Sequence, residues 1–177
     1  DRINKTNTLR CGYVTYYPGV VKDPNTGKMS GYDVDIANEV GHRMKLKVEW
    51  AYETNWPNFA ADMQANKFDV LCSGYWANPV QAKFALSTIP LFYQPAYLVT
   101  RVDDHRFDKD VYKINDSSIT LAVLDNDVPD TMADELFPHI KRSRLSQQTA
   151  FSQVFQEVAT KRADVTIGSY EDIQGFV

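Results

Sequence analysis

Two carboxylates, Asp33 and Asp35, stand two residues apart in the segment Gly31-Tyr32-Asp33-Val34-Asp35-Ile36-Ala37. Paired acids are what general acid and base catalysis asks for. These two fall at the start of a helical pattern, where acidic side chains favour the helix dipole, and they read as structural. His42, His105 and His139 lie in separate segments without ligand spacing, so no metal site is expected. Cys11 and Cys72 are too far apart for a CxxC redox pair. Each sits in an apolar run, and two free buried thiols behaving as small hydrophobes are favoured over a disulfide. The chain contains no GxGxxG, GxxxxGK[ST] or GxSxG segment. Nothing therefore points to dinucleotide binding, a phosphate cradle or a nucleophile elbow. The expectation is a protein that binds rather than converts, with no catalytic residue and no cofactor.

The elements that position the remaining polar and aromatic groups follow from periodicity. The 177 residues are 44% hydrophobic and 24% charged, with 19 basic and 23 acidic side chains and a net charge of −4. That composition is globular, and its acidic balance disfavours a general nucleic-acid binder, which needs a basic face. No window holds the ~20 apolar residues that span a bilayer. No leader peptide is visible where the chain opens Asp1-Arg2-Ile3-Asn4-Lys5; it was removed or never present. Apolar runs at 9–14, 46–50, 68–72, 119–124, 141–145 and 165–168 read as strands, and Phe92 to Thr100 as a further extended segment. The spacing predicts helices over 32–44, after Asn55-Trp56-Pro57, over 128–137 with Asp127 as cap, and over 149–160. Asp23-Pro24-Asn25-Thr26-Gly27 reads as a turn. A polar stretch from Asp103 to Ser117 separates two βαβα runs. Two α/β lobes with mostly parallel, covered sheets are expected, over residues 1–102 and 103–177, with a hinge near 100–104 and again after 168.

Several segments in order resemble family 3 of the extracellular solute-binding proteins, the type II periplasmic receptors for polar amino acids. Gly31 to Ala37 is similar to its G-[FY]-x-V-D-[LI]-A signature. Asn66-Lys67-Phe68-Asp69-Val70 with Ser73-Gly74 resembles its G-K-[YF]-D-V strand, and Asn78-Pro79-Val80-Gln81-Ala82 its T-P-E-R-A turn. Ser87 to Tyr97 and Lys161 to Gly168 resemble its F-S-x-P-Y passage and its G-K-A-D-A-V-x-G-D strand. The resemblance implies a two-lobed receptor that closes over a solute, in the periplasm or another extracytoplasmic space, as a monomer serving an ABC-transporter permease. A sensor partner for a signalling receptor domain, or a cyclohexadienyl-dehydratase-like enzyme, are the alternatives. It also implies a longer chain, by about 50 residues that would return to the first lobe and cover its apolar surface.

Open α/β sheets take ligands beyond the carboxyl ends of their strands. That rule collects Tyr16, Tyr17, Trp56, Ser73, Gly74, Tyr75, Trp76 and Asn78 from the first lobe, and Asn126, Asp127, Val128, Ser169 and Tyr170 from the second. Where the resemblance places an arginine for the carboxylate of an amino acid stands Gln81, which also reads as the N3 partner of an Asn78 capping box. Where it places backbone donors for that carboxylate stands Asp127, whose own side chain would cap the helix. Where it places an aspartate for the ammonium stands Ser169, with Glu171 and Asp172 behind it. The usual zwitterion clamp is absent, and rings stand beside carboxylates. The expected solute is polar, cationic or aromatic, and not a standard α-amino acid held by the usual clamp.

Overall fold

The computed structural model describes residues 2–76 and 81–176. Asn78 and the Gln81 side chain lie outside the described set. Among the described residues the chain forms two compact units, 2–76 with 81–86, and 87–176.

In the first unit a short helix α1 (Arg2–Thr6) leads into β1 (Thr8–Tyr13). A hairpin of β2 (Val21–Lys22) and β3 (Met29–Ser30) follows, closed by Asp23, whose carboxylate accepts from the backbone N–H groups of Asn25 and Thr26. Sequence reading saw this turn but not the hairpin, since two-residue strands leave no alternation to detect. Helix α2 (Tyr32–Met44) occupies the predicted span. Its buried stripe is Asp33, Val34, Ala37 and Gly41, whereas the apolar side chains of Val40 and Met44 are 43% and 61% exposed. β4 (Lys47–Glu53), α3 (Phe59–Gln64) and β5 (Val70–Leu71) complete a parallel sheet in the order β4-β1-β5. Tyr13, Val20 and Val34 pack with Trp50; Phe59, Ala60 and Phe68 pack with Tyr52 and Leu71.

The cysteines correct an expectation. Cys11 and Cys72 form a disulfide with Cα atoms 5.4 Å apart. Sequence distance misled because β1 and β5 are hydrogen-bonded neighbours: Gly12 is the register partner of Leu71, and the Cys72 N–H donates to the Gly12 carbonyl.

The second unit contains β6 (Tyr97–Val99), β7 (Thr120–Leu124), α4 (Val128–Leu136), β8 (Lys141–Leu145), α5 (Ser152–Ala159), β9 (Val165–Gly168) and a final helix α6 (Tyr170–Phe176). The sheet order is β6-β9-β7-β8, parallel except for β6. Because β6 pairs with β9, Tyr97–Val99 belong to this sheet, upstream of the expected boundary at 102. Arg101, two residues beyond β6, donates to the carbonyls of Val158 and Ala163, which ties the chain to the end of α5. Strand alternation sets the core. Leu121 and Val123 face Ala133, Phe137 and Ile140, and Ala122 faces Val154, Phe155 and Val158. Only part of the predicted 92–100 strand forms; Tyr93 is exposed.

One device recurs in both units. Asp69, just before β5, exchanges backbone hydrogen bonds with Arg10 of β1, its own N–H donating to the Arg10 carbonyl and its carboxylate accepting from the Arg10 N–H at 2.8 Å. Arg2 and the Arg10 guanidinium also reach that carboxylate. Asp164, just before β9, does the same with Thr120 of β7, at 2.9 Å, and Arg106 reaches it at 2.7 Å. Burial alone would raise both acids, but these donors outweigh it and hold both below the ordinary carboxylate value.

Candidate functional site

The first unit gathers its candidates at the carboxyl ends of β1 and β5. The chain leaves β1, turns through a cis Tyr17–Pro18 bond, and returns so that Tyr16 and Val20 exchange backbone hydrogen bonds at 2.8 Å. Gly31 precedes α2 at φ 120, and a Cβ there would strike the carbonyls of Gly19 and Pro18, so only glycine lets the helix start this close to the loop. That start places Asp33, 4% exposed, against the loop. Its carboxylate accepts from the Tyr16 hydroxyl and from the Gly74 N–H, the latter at 2.6 Å. The Tyr32 hydroxyl lies 3.2 Å from that of Tyr16. Burial first, then the bonds to Asp33 and Tyr32, push the Tyr16 phenol far above its ordinary value, so it stays a donor. Asp33 and Tyr32 join the candidates here, although the strand-end rule does not select them. The sequence shows an acid in a first helical turn, and only the fold brings the 16 and 74 loops onto it.

Rings cluster around this carboxylate. The Tyr16 ring lies 5.9 Å from Trp56, Trp56 6.1 Å from Tyr75, and Tyr75 4.9 Å edge-on from Phe59. Tyr16, Trp56, Gly74 and Tyr75 are therefore brought together. Tyr17 stands apart and is 81% exposed. Trp76 is partly buried. Ser73 is buried, and its hydroxyl accepts from the Val14 N–H and donates to the Val14 carbonyl, so it clasps two strand ends rather than offering a free donor.

In the second unit the candidates sit after β7 and β9. Asn126 adopts φ 58, and its N–H donates to Asp130. Asp127 caps α4, accepting from the Val128 N–H at 2.7 Å, and Val128 is partly buried beside it. Burial raises the Asp127 carboxyl, the Val128 N–H opposes this, and Asp172 and Asp130 add to the rise. Ser169 is buried and donates from both its N–H and its hydroxyl to Asp172, while the Asp172 N–H donates back to the hydroxyl. This is a reciprocal cap of α6. Tyr170 is exposed, and Glu171 is engaged by the Gln94 amide. Arg144 was not anticipated here. Its guanidinium meets Asp130 at 2.9 Å and lies 3.9 Å from Asp125, so its charge is taken up by acids. Among the described residues, no group of three His, Cys, Asp or Glu side chains could hold a metal ion, and no helix is long and apolar enough to cross a membrane.

Two parallel-sheet units with flanking helices, each carrying its candidates at the strand ends, define a type II periplasmic-binding-protein fold. A model of the bacterial extracellular solute-binding proteins, family 3, matches residues 9–143, and the chain belongs to that family. It is similar to a probable amino-acid ABC transporter-binding protein of Haemophilus influenzae, 35% identical over 106 residues, covering 59% of this chain and 40% of that protein. It is 22% identical over 165 residues to cyclohexadienyl dehydratase of Pseudomonas aeruginosa, covering 93% of this chain and 60% of the enzyme. The chain thus spans less than two thirds of these curated relatives. Among solved structures, an ancestral amino-acid-binding protein, a precursor of cyclohexadienyl dehydratase, superimposes with TM-score 0.76 at 26% identity, covering 99% of this chain and 76% of that one. A structure of an ancestral cationic amino acid solute-binding protein matches with TM-score 0.63 at 28% identity, covering 96% and 72%.

Proposed function

We propose that this protein is the extracytoplasmic solute-binding component of a bacterial ABC transporter, and that its solute is a small organic cation passed to a membrane permease. The observation that carries the solute class is Asp127. A helix N-terminus facing a ligand ordinarily attracts an anion. Here α4 is capped by its own carboxylate, which sits in the field of Asp172 and Asp130. A solute of net negative charge would meet like charge, and one of net positive charge would relieve it. In the first unit, the rings of Tyr16, Trp56 and Tyr75 cluster together, and a cation seated on such a ring gains about 0.5–2 kcal/mol. The cationic amino acid named for one ancestral relative supports the same class. The disulfide supports an oxidising, extracytoplasmic location, where such bonds persist.

The test is a thermal-shift and titration screen of L-arginine, L-lysine, quaternary amines and L-glutamate. Cations should raise the melting temperature and L-glutamate should not; a shift of many degrees with L-glutamate alone would refute the charge argument. The dehydratase relative supplies a second reading. Turnover of a prephenate- or arogenate-like acid is expected to be absent, and its detection would replace binding by catalysis.

A further inference from the structure

We propose that Tyr13 and Glu53 form an ammonium subsite in the first unit, now occupied by Lys22, that takes the far cationic end of a long solute such as a terminal diamine or a basic amino acid. This rests on the cationic reading above. Tyr13 and Glu53 are register partners at the carboxyl ends of β1 and β4, the end at which open α/β sheets take ligands. A groove of about 430 Å³ opens there, lined among others by Tyr16, Tyr17, Lys22 and Glu53, so it shares the Tyr16 ring with the aromatic cluster.

Lys22 shows what the groove accepts. Its ammonium lies 3.0 Å from the Tyr13 hydroxyl, 3.2 Å from Glu53 Oε2 and 5.6 Å from the Tyr13 ring centroid. A phenol oxygen and a carboxylate converging on one primary amine are the parts of an ammonium receptor. The plug is loosely seated. Lys22 and Glu53 side chains are 41% and 47% exposed, and the other donors to Glu53, the Tyr13 and Thr15 hydroxyls, each lie at 3.4 Å, beyond the usual range. The contacts to Tyr13 and Glu53 raise the Lys22 amine, so it remains charged. A solute ammonium entering beside Tyr16 exchanges one cation for another of the same kind. Glu53 is never left alone, and the displaced Lys22 returns to water on a flexible stem.

The test is titration of the full chain and its K22M and E53Q variants with 1,5-diaminopentane, L-lysine and pentylamine, which lacks the second amine. K22M should tighten the diamine and L-lysine by about threefold to fivefold, the scale of one exposed ion pair, and leave pentylamine unchanged. E53Q should weaken 1,5-diaminopentane and L-lysine by a similar factor and also leave pentylamine unchanged. Equal affinities in all three proteins for a diamine that does bind would overturn the subsite while leaving the cationic reading intact. A change shared by pentylamine would overturn it too. Failure of every cation to bind any of the proteins would remove both.

Discussion

Removing the Cys11–Cys72 disulfide tests the architecture of the first unit most directly. The bond closes a loop across a sequence separation of 61. In the chain-entropy treatment, a loop of that length removes about 14 cal/mol/K from the unfolded ensemble, or about 4 kcal/mol at 25 °C. Other cross-connections hold the same strands: the β1–β5 pairing, the Asp69 bonds and the Ser73 clasp on Val14. These keep the native state in place when the bond is lost, so the effect falls mainly on the unfolded chain. For a chain of this size, each kcal/mol moves the melting temperature by roughly 2–4 °C, which gives a drop of about 8–16 °C. The assay is calorimetry or circular dichroism of the Cys11→Ala, Cys72→Ala double variant beside the oxidised protein. A reductant arm should reproduce the drop in the native chain and do nothing to the variant. A loss below about 3 °C would show that loop closure contributes little here, and that the assigned pairing of β1 with β5 is not what constrains the chain.

Three further outcomes are expected. Gly74→Ala would place a Cβ 2.8 Å from the Tyr16 oxygen and 3.3 Å from Asp33 Oδ2. It should weaken solute binding by about tenfold with a stability loss of about 1–3 kcal/mol, read by titration and denaturant melts; unaltered binding would separate Asp33 from the site. Asp127→Asn keeps the cap, since asparagine and aspartate cap equally well. A carboxyl raised by burial and like charges costs stability as pH rises above its ordinary value, so the amide should not lower the melting temperature at pH 7, yet should weaken a cationic solute by at least about tenfold. Asp104 is held at about 2 by the Arg106 guanidinium, which grips it at 2.8 and 2.6 Å. Its contribution is whole above the ordinary value of 3.8 and is lost as pH falls towards 2, so Arg106→Ala should move the onset of acid unfolding upward, read as melting temperature against pH.

Most of the elements were legible in the sequence, for reasons tied to range. The α2 span, the Asp127 cap and strands β7 and β8 follow from local periodicity and cap chemistry, and the structure places them where the pattern does. What escaped depends on partners distant in the chain. Cys11 and Cys72 meet because β5 joins β1, and Tyr97–Val99 join the second unit by antiparallel pairing with β9 and by packing of Leu98 and Val99 on its core. Val40 and Met44 fit the helical spacing but stand exposed, while Asp33, Val34, Ala37 and Gly41 form the buried stripe. The strand-end rule selects Tyr16, Trp56 and Tyr75, whose rings the fold brings together. Asp33 was seen and assigned to the helix dipole alone, because its service to Tyr16 and Gly74 spans 17 and 41 positions.

Asp69 and Asp164 carry a consequence for how this chain tolerates change. Each rivets the entry of one strand to the start of its neighbour, at the margin of its sheet remote from the loops that hold the candidate residues. The two halves thus use the same joint in Phe68-Asp69-Val70 and Ala163-Asp164-Val165, although they share no clear sequence repeat. With the floor of each sheet pinned by a carboxylate and its guanidinium partners, the opposite rim is free to be rewritten, and new solutes can be accommodated without renegotiating the scaffold beneath.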